Sequence, residues 1–276
     1  MVEQLKRCIF CGSGDKLTSE HVYGEWLKAY VPRTHNKHEF QYVKSGSPGV
    51  HEYADKKIRA GDPVSSQVRV VCGSCNSGWM SGLQNRAIQF LTPLVRGEFS
   101  ELNITAQTAI AAWAAMATMT SEFLARKPQK IVIPQDERTW LKQKLTPPLN
   151  WRIWTGRYNR ETWGGQWVRS TLNIGSKKDI EEWLTDDLRA PNIQTTTFVV
   201  GELYISVLSG PFQPLIDTWD WRTARRARAR LVQIWPIKYL AIFWPPPPIP
   251  DADAESFATA FEQWAADIAR RKGYYQ

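Results

Sequence analysis

The cysteines and histidines of the chain all lie within its first 75 residues. The cysteines form two CxxC pairs, Cys8 with Cys11 and Cys72 with Cys75. Each CxxC turn points two sulfurs at one ion, and two such turns complete a tetrahedral structural Zn²⁺ site that leaves no position open to substrate. Redox CxxC pairs are the competing interpretation, but they open helices inside βαβ units, a pattern that is missing here. We therefore predict one Zn²⁺ bound by these four thiolates.

An acidic residue and a histidine, Glu20 and His21, stand side by side between the two pairs, and Asn76 directly follows the second pair. Imidazole has the side-chain pKa nearest neutral pH, so it can act there as a general base. Mg²⁺ takes oxygen ligands from one or two protein groups and from its substrate, and Glu20 and Asn76 offer such oxygens. His35 and His38 are predicted to lie in a solvated loop, with metal binding as the alternative, and His51, which follows a Gly/Ser/Pro turn, is predicted to have no function.

The order of these motifs resembles the HNH endonucleases, whose core is a ββα-metal fold. The resemblance covers roughly residues 5–95 and is carried by the CxxC pairs, by TSEHV at 18–22, by WL at 26–27 and by CNSGWM at 75–80. It implies that His21 is the general base that activates water against a phosphodiester, and that Glu20 and Asn76 bind a catalytic Mg²⁺ or Mn²⁺. The family's Asn that orients the base has no counterpart before the second pair, which leaves Gln67, another residue or a backbone carbonyl for that role.

The charge of the chain suits an acidic partner. Its formal net charge is +8 and its isoelectric point is near 9.3, although many basic proteins bind no nucleic acid. Basic residues near the motifs and in the run 221–230 are predicted to contact DNA backbone, with a solvated surface as the alternative for the run: Arg69, Arg86, Lys56, Lys57, Arg59, Arg225, Arg226 and Arg228. The chain has 14 Trp residues, and those of its C-terminal part are predicted to be core and sheet residues, with base stacking as the alternative.

The pattern of elements divides the chain near residue 100. We predict an α+β fold in which residues 1–100 form a zinc-stapled ββα-metal (HNH) domain, with a hairpin inserted between the cysteine pairs. Residues 101–276 are predicted to form an α+β domain with antiparallel strands, flanking helices and a sensing, binding or regulatory role. Helices are predicted at 76–96, 104–126, 136–145 and 251–272, and strands at 151–158, 167–174, 195–208 and 231–235.

These observations favour a metal-dependent HNH-type DNA endonuclease with structural Zn²⁺ and catalytic Mg²⁺ or Mn²⁺. By analogy with other HNH modules we expect a role in bacterial antiphage defence or in a mobile element, and a homodimer or a regulatory partner acting through residues 101–276. Two alternatives are a non-catalytic zinc protein that binds nucleic acid and a zinc domain for protein interaction. No apolar run reaches the roughly 18 residues of a membrane span, and the first residues lack the apolar stretch of a signal peptide, so we expect a cytoplasmic location and no membrane contact.

Overall fold

The structure is a computed structural model that describes residues 7–31, 37–45, 51–60, 63–124, 131–159, 167–175, 178, 191–210, 216–217, 219 and 225–272. The described strands are β1 (Leu17–His21), β2 (Lys37–Ser45), β3 (His51–Ala60), β4 (Gln67–Cys72), β5 (Ser100–Asn103), β6 (Arg152–Arg157), β7 (Trp167–Leu172), β8 (Ile193–Val200), β9 (Leu203–Ser209), β10 (Val232–Trp235) and β11 (Ala241–Trp244). The described helices include α1 (Gly73–Cys75), α2 (Ser81–Val95), α3 (Ile104–Ser121), α4 (Gln135–Lys144), α5 (Arg225–Arg228) and α6 (Asp251–Lys272).

A two-stranded ribbon followed by a helix brings the two CxxC pairs together. Strands β1 and β4 pair antiparallel, with Leu17 opposite Cys72 at one end and His21 opposite Gln67 at the other. After Cys72 the chain continues through α1 and a π-helical turn, Asn76–Met80, into α2. The segment around the cysteines therefore consists of two antiparallel strands followed by a helix.

Helix α2 confirms the helix predicted at 76–96. Its apolar positions recur at helical spacing and are buried, as expected for the inner face of an amphipathic helix: Leu83, Ala87, Leu91 and Leu94. The helix runs past Pro93 and stops at Val95. Gly97 follows at a φ of 73°, a left-handed conformation that favours glycine at helix ends.

The largest sheet takes strands from both sides of residue 100. Its order is β10-β6-β9-β8-β7-β2-β3, and every pair is antiparallel except β2 with β7. The hairpin expected between the cysteine pairs is present as β2 and β3, and Phe40 of β2 lies opposite Trp167 of β7. The hairpin therefore extends the sheet that the later strands build, so hydrogen bonds cross the division that the sequence predicts near residue 100.

Two sequence predictions differ from the structure in detail, and one pair of strands was not predicted. The strand predicted at 195–208 is a hairpin, β8 and β9, which turns at Gly201 with a φ of 60°. Both strands are buried on both faces, so alternation of residue types did not reveal the turn. Helix α3 stops at Ser121 rather than 126, where side-chain hydroxyls of Thr120 and Ser121 donate to carbonyls of the preceding turn. Strands β5 and β11 have four residues each and were too short to predict.

Two apolar layers cover the two faces of the large sheet. On one face α3 packs, and its Trp113 ring meets Phe198 of β8 edge-on at 5.8 Å. On the other face α6 buries Phe257 and Phe261. Most described Trp residues of the C-terminal part are buried in these layers, as predicted for core residues: Trp113, Trp151, Trp154, Trp167, Trp219, Trp235 and Trp244. None of the described helices combines the length and the apolar character that crossing a bilayer requires.

Candidate metal centre and active site

The four cysteine sulfurs form one compact cluster. All four Sγ atoms lie within 4.8 Å of one another, and Cys11 Sγ lies 3.6 Å from Cys72 Sγ. A disulfide requires about 2.05 Å, and the four cysteines are free thiols. Zn–S bonds of about 2.3 Å in a tetrahedron separate the sulfurs by about 3.8 Å. The donor set and its spacing therefore fit a Zn²⁺ held by four thiolates.

Local backbone structure positions each pair. In the first, the Gly12 N–H donates to the Cys8 carbonyl at 2.8 Å, and Gly12 takes a φ of 69° that closes the turn. The Ile9 N–H donates to the Val70 carbonyl at 3.0 Å, which attaches this turn to β4. In the second pair, Cys72 is the last residue of β4 and Cys75 ends α1. The pairs approach because one is bonded to the strand that carries the other.

The environments of the thiols differ. Burial raises the pKa of Cys11 and, more strongly, that of Cys75. Burial also acts to raise the pKa of Cys72, but hydrogen bonds from Ser74 Oγ and from the Cys75 backbone amide outweigh it and lower that pKa to about 6. The hydrogen bonds therefore favour the thiolate of Cys72, which is the form that binds Zn²⁺.

The histidine of the acidic–histidine pair is held by the opposite strand. His21 ends β1, and its Nε2 lies 2.8 Å from Nε2 of Gln67, the residue that faces it on β4. Burial lowers the pKa of His21, the Lys28 ammonium lowers it further, and Glu25 raises it. The net lowering keeps the imidazole neutral at pH 7, the state that a general base needs.

Glu20 points away from His21 into the protein. Its side chain is buried, and Gln84 Nε2 of α2 donates to its Oε1 at 3.2 Å. Burial raises the pKa of this carboxyl to about 7, although the hydrogen bond from Gln84 acts to lower it. Neighbouring strand residues face opposite sides, so the adjacent pair presents a carboxylate on one side and an imidazole on the other.

Asn76 joins the helical segment to β1. Its Nδ2 donates to Thr18 Oγ1 at 3.1 Å and to the Ser19 carbonyl at 3.2 Å. Both donor hydrogens of the amide are thus directed at β1, and its oxygen, Oδ1, is the atom that suits a hard cation. Among the residues that the structure describes, only the four cysteines form a group of three or more Cys, His, Asp or Glu side chains close enough to share an ion.

The predicted DNA-contacting residues fall into three groups. Arg69 is exposed on β4, on the same face as Gln67, and Arg86 is exposed on α2. Arg228 is exposed on α5, which packs near α6 rather than near the ribbon. The side chains of the others lie outside the described part of the structure, although their backbones belong to β3 and α5: Lys56, Lys57, Arg59, Arg225 and Arg226.

The structure gives only partial information on the remaining histidines. His38 belongs to β2 rather than to the loop that was predicted, and His51 is the first residue of β3. Their side chains, like the whole of His35, lie outside the described part of the chain. Metal binding by His35 and His38 stays an untested alternative.

Gln84 is a site residue that sequence reasoning missed. It contacts Glu20 because α2 folds back against β1, and a contact between residues so far apart in the chain has no sequence signal. The turn at Asn76–Met80 that leads into α2 is π-helical, and Gly78 within it has non-helical backbone angles. Gln67, one of the candidates that the sequence left for orienting the base, is the residue that contacts His21, because β1 and β4 pair with these two residues opposite each other.

No family model matches the chain, and no curated protein or solved structure matches it. Its function therefore has to be argued from its own residues.

Proposed function

We propose that the chain is a metal-dependent HNH-type endonuclease that hydrolyses phosphodiester bonds in DNA. The observation that carries the proposal is the contact of 2.8 Å between His21 and Gln67, on a ribbon whose other end carries the thiol cluster. A neutral imidazole, a polar group that holds it, and a rigid support for both are what general-base catalysis needs.

His21 would take the proton from the attacking water. An amide can present either its oxygen or its nitrogen to a ring nitrogen. With the Gln67 oxygen toward Nε2–H, His21 is held in the tautomer whose Nδ1 is free to accept a proton. The lowered pKa of His21 keeps that nitrogen unprotonated at neutral pH.

Glu20 and Asn76 would hold the catalytic Mg²⁺ or Mn²⁺ through oxygen atoms. Two protein ligands are enough for such an ion, because substrate phosphate oxygens and water complete its coordination. When bound, the ion stabilises negative charge at the phosphate and at the leaving oxygen. Gln84 orients the Glu20 carboxylate, and the hydrogen bonds from Asn76 to β1 fix the start of the helical segment.

The basic residues would bind the DNA backbone, and the later part of the chain would have a sensing or regulatory role. Arg69 lies on the same exposed face as Gln67 and would contact the phosphate backbone next to the reacting phosphate. Arg86, which is exposed on α2, would contact the backbone as well. Zn²⁺ on the four thiolates is structural. A place in antiphage defence or in a mobile element, with residues 101–276 as the sensing or regulatory part, is the biological context that we infer by analogy.

Cleavage of supercoiled plasmid tests this function. Wild type, His21→Ala and the matched control His51→Ala, each checked for one bound zinc per chain, are compared with Mg²⁺, with Mn²⁺ and with excess EDTA. We expect wild type and the control to nick the plasmid with either metal, and His21→Ala to be slower by about 100-fold or more. Cleavage that survives His21→Ala would refute the assigned base.

A non-catalytic zinc protein that binds nucleic acid is the second candidate. The net charge of +8 and the exposed Arg69, Arg86 and Arg228 favour it. Such a protein would bind DNA with an affinity that falls steeply as salt rises, and it would nick nothing in either metal. The third reading, a zinc domain for protein interaction, predicts neither cleavage nor salt-dependent affinity.

A further inference from the structure

One edge of the large sheet is formed by a long strand. Strand β3 has ten residues and lies last in the order of the sheet, with β2 on its inner side. Among the strands that the structure describes, none pairs with the outer edge of β3. Alternate residues of an edge strand direct their backbone N–H and C=O groups outward, where another strand can bind them. The opposite edge of the sheet is β10, which has only four residues. The edge of β3 is therefore the longer of the two sites at which another strand could extend the sheet.

Four charged residues of β3 share one face of the sheet. In the register with β2 they lie opposite every second residue of that strand, from Lys44 back to His38: Glu52, Asp55, Lys57 and Arg59. The register shifts between Tyr42 and Val43, so Ala54 is an extra residue and Asp55 continues the series after this bulge. Along this face the charges of β3 are therefore ordered acidic, acidic, basic, basic.

This order of charges is complementary to its own reverse. In an antiparallel pair of two β3 strands that keeps both bulges and has a two-fold axis at Lys56, Glu52 lies opposite Arg59 of the second copy. In the same register Asp55 lies opposite Lys57 of the second copy. Symmetry repeats each contact, so four pairs of opposite charge form on one face of the joined sheet. Opposite charges that face each other across strands stabilise the pairing of those strands.

The other face of the joined sheet adds an apolar contact. There Tyr53 lies opposite Ile58 of the second copy, and an aromatic residue opposite a β-branched one is a favourable cross-strand pair. Lys56 lies on the axis and meets its own counterpart, so the register has four pairs of opposite charge and one of like charge. A second copy of the strand therefore fits this edge in charge and in apolar character.

The charges of β3 disfavour the other partners that could bind this edge. Charged residues normally prevent an edge strand from pairing, because most strands offer them no residue of opposite sign. A second copy that runs parallel and in register places like charges opposite each other, and β10 of a second copy contains no charged residue. Nucleic acid requires an excess of basic residues, whereas positions 52–59 carry two acidic and three basic residues. The reversed copy is therefore the partner that this strand favours.

We propose that β3 is the interface through which two copies of this chain form a two-fold dimer, with residues 52–59 of both copies paired antiparallel. The paired segment is about 26 Å long and offers roughly eight backbone hydrogen bonds, within the range of a typical protein interface. Such isologous pairing closes on itself and is the usual form of a homodimer. Strand β4 follows β3 in the chain and begins at Gln67, so the dimer brings two candidate sites to one particle. Cutting both strands of a duplex requires two sites, but the interface itself does not depend on the proposed activity.

Molar mass in solution tests the dimer through a reversal of charge. Full-length wild type, Asp55→Lys, Lys57→Asp and the double variant Asp55→Lys/Lys57→Asp are compared by light scattering and sedimentation, up to about 100 µM. Each single variant turns two pairs of opposite charge into pairs of like charge, and the double variant restores them. We expect wild type and the double variant at twice 31.7 kDa, and each single variant to dissociate at least about tenfold more readily. Glu101→Lys is the matched control and should remain dimeric, because it makes the same change of charge at an exposed position of β5, outside the large sheet.

Three results would overturn the proposal. The first is a wild type that has a mass of 31.7 kDa at the highest concentration, including one whose affinity for DNA falls in Lys57→Asp. The second is a folded single variant that stays as dimeric as the control, and the third is a folded double variant that dissociates as readily as the single variants. Circular dichroism establishes that each variant is folded. If Asp55→Lys does not fold, Glu52→Lys and Arg59→Glu repeat the design at the ends of the paired segment. None of these results depends on whether the chain cleaves DNA.

Discussion

At the scale of the residue, the candidate site depends on how polar side chains are held rather than on how many there are. Gln67 contacts His21 because β1 and β4 pair with these two residues opposite each other. A single hydrogen bond of this kind fixes both the tautomer and the orientation of the ring. In the proposed mechanism, the orientation of the imidazole of His21 therefore depends on the amide of Gln67.

Removing that amide should slow cleavage without disturbing the fold. We expect Gln67→Ala to lower the cleavage rate by about 10- to 100-fold, with zinc content unchanged, because His21 loses the partner that orients it. Gln89→Ala is the control, since Gln89 is exposed on α2 and bonds only a carbonyl of its own helix. Single-turnover rates of nicking of supercoiled plasmid measure the effect. Equal rates for Gln67→Ala and Gln89→Ala would mean that Gln67 does not orient His21.

The contact between Gln84 and Glu20 should set how much divalent metal the site needs. The bond lowers the pKa of a carboxyl that burial raises to about 7. In Gln84→Leu the pKa rises further, so fewer molecules carry the carboxylate at pH 7. We expect half-maximal cleavage there to need about tenfold more Mn²⁺.

The pH dependence of the Mn²⁺ requirement provides a control for this prediction. Raising the pH ionises Glu20 in both proteins. The difference between Gln84→Leu and wild type in the Mn²⁺ concentration for half-maximal cleavage should therefore become smaller as the pH rises. Gln89→Leu should behave as wild type throughout. A Mn²⁺ requirement that is unchanged in Gln84→Leu would mean that Glu20 does not bind the ion.

At the scale of the element, the thiol cluster brings together the first CxxC turn, the end of β4 and α1. Removing Zn²⁺ should therefore loosen the ribbon and α2 together, because an apparent zinc-binding free energy of about 10 kcal/mol or more is also folding free energy. We expect Cys72→Ser to contain no zinc and to lose protection of β1, β4 and α2 against hydrogen exchange. Wild type stripped with a chelator should do the same and should recover when Zn²⁺ is added back. Full protection in the stripped protein would contradict a structural zinc.

Helix α6 carries a buried acid that makes stability depend on pH. Burial raises the pKa of Glu262 from 4.5 to about 8. The folded state then holds a proton that the unfolded state releases between these two values, so stability falls as the pH rises through this window, by at most about 1.4 kcal/mol per pH unit. We expect the free energy of unfolding of Glu262→Gln to decrease less with rising pH than that of wild type, so the variant should be more stable than wild type at high pH. Urea unfolding between about pH 5 and 9 measures these free energies. The same pH dependence in the two proteins would contradict the prediction.

The elements that could be predicted from sequence are those with a long local pattern. Helix α6 matches both of its predicted ends, and α2 stops one residue before its predicted end, because their apolar positions repeat over several turns. The cysteine cluster was predicted from the spacing of the two CxxC pairs, whereas the roles of Glu20 and His21 stay predictions that the HNH resemblance implies. The parallel pairing of β2 with β7 could not be predicted, because it joins distant segments whose strands carry no mark of their partners. The hairpin turn at Gly201 was missed for the related reason that β8 and β9 are buried on both faces.

At the scale of the whole molecule, one buried ion cluster connects α3, α4 and β7. The Glu122 carboxylate, at the end of α3, pairs with Arg138 of α4 and with Arg169 of β7, and all three side chains are buried. It also accepts the Val132 N–H at 2.9 Å. The charge of Arg169 and Arg138 holds the pKa of Glu122 below its usual value although burial acts to raise it.

Removing the charge of Glu122 leaves two buried guanidinium groups without their carboxylate. We expect Glu122→Gln to destabilise the protein by about 3–5 kcal/mol, the range for a broken buried ion pair. Glu98→Gln is the control, because Glu98 pairs with Arg96 at the surface, where such pairs contribute less than about 1 kcal/mol. Chemical denaturation compares the two. A loss in Glu122→Gln as small as in the control would mean that the cluster adds little to stability.

The connections across residue 100 decide how the molecule unfolds. Helix α3 packs both on α2 and on the large sheet, and β2 hydrogen-bonds to β7. At the end of α2, the Glu202 N–H donates to the Val95 carbonyl at 2.9 Å. Because these contacts join the segment around the cysteines to the later strands, we expect one cooperative thermal transition, with equal calorimetric and van't Hoff enthalpies. Zinc removal should then lower the temperature of that single transition. Two separate transitions, of which only the first responds to chelator, would instead mean that residues 1–100 fold as a domain of their own.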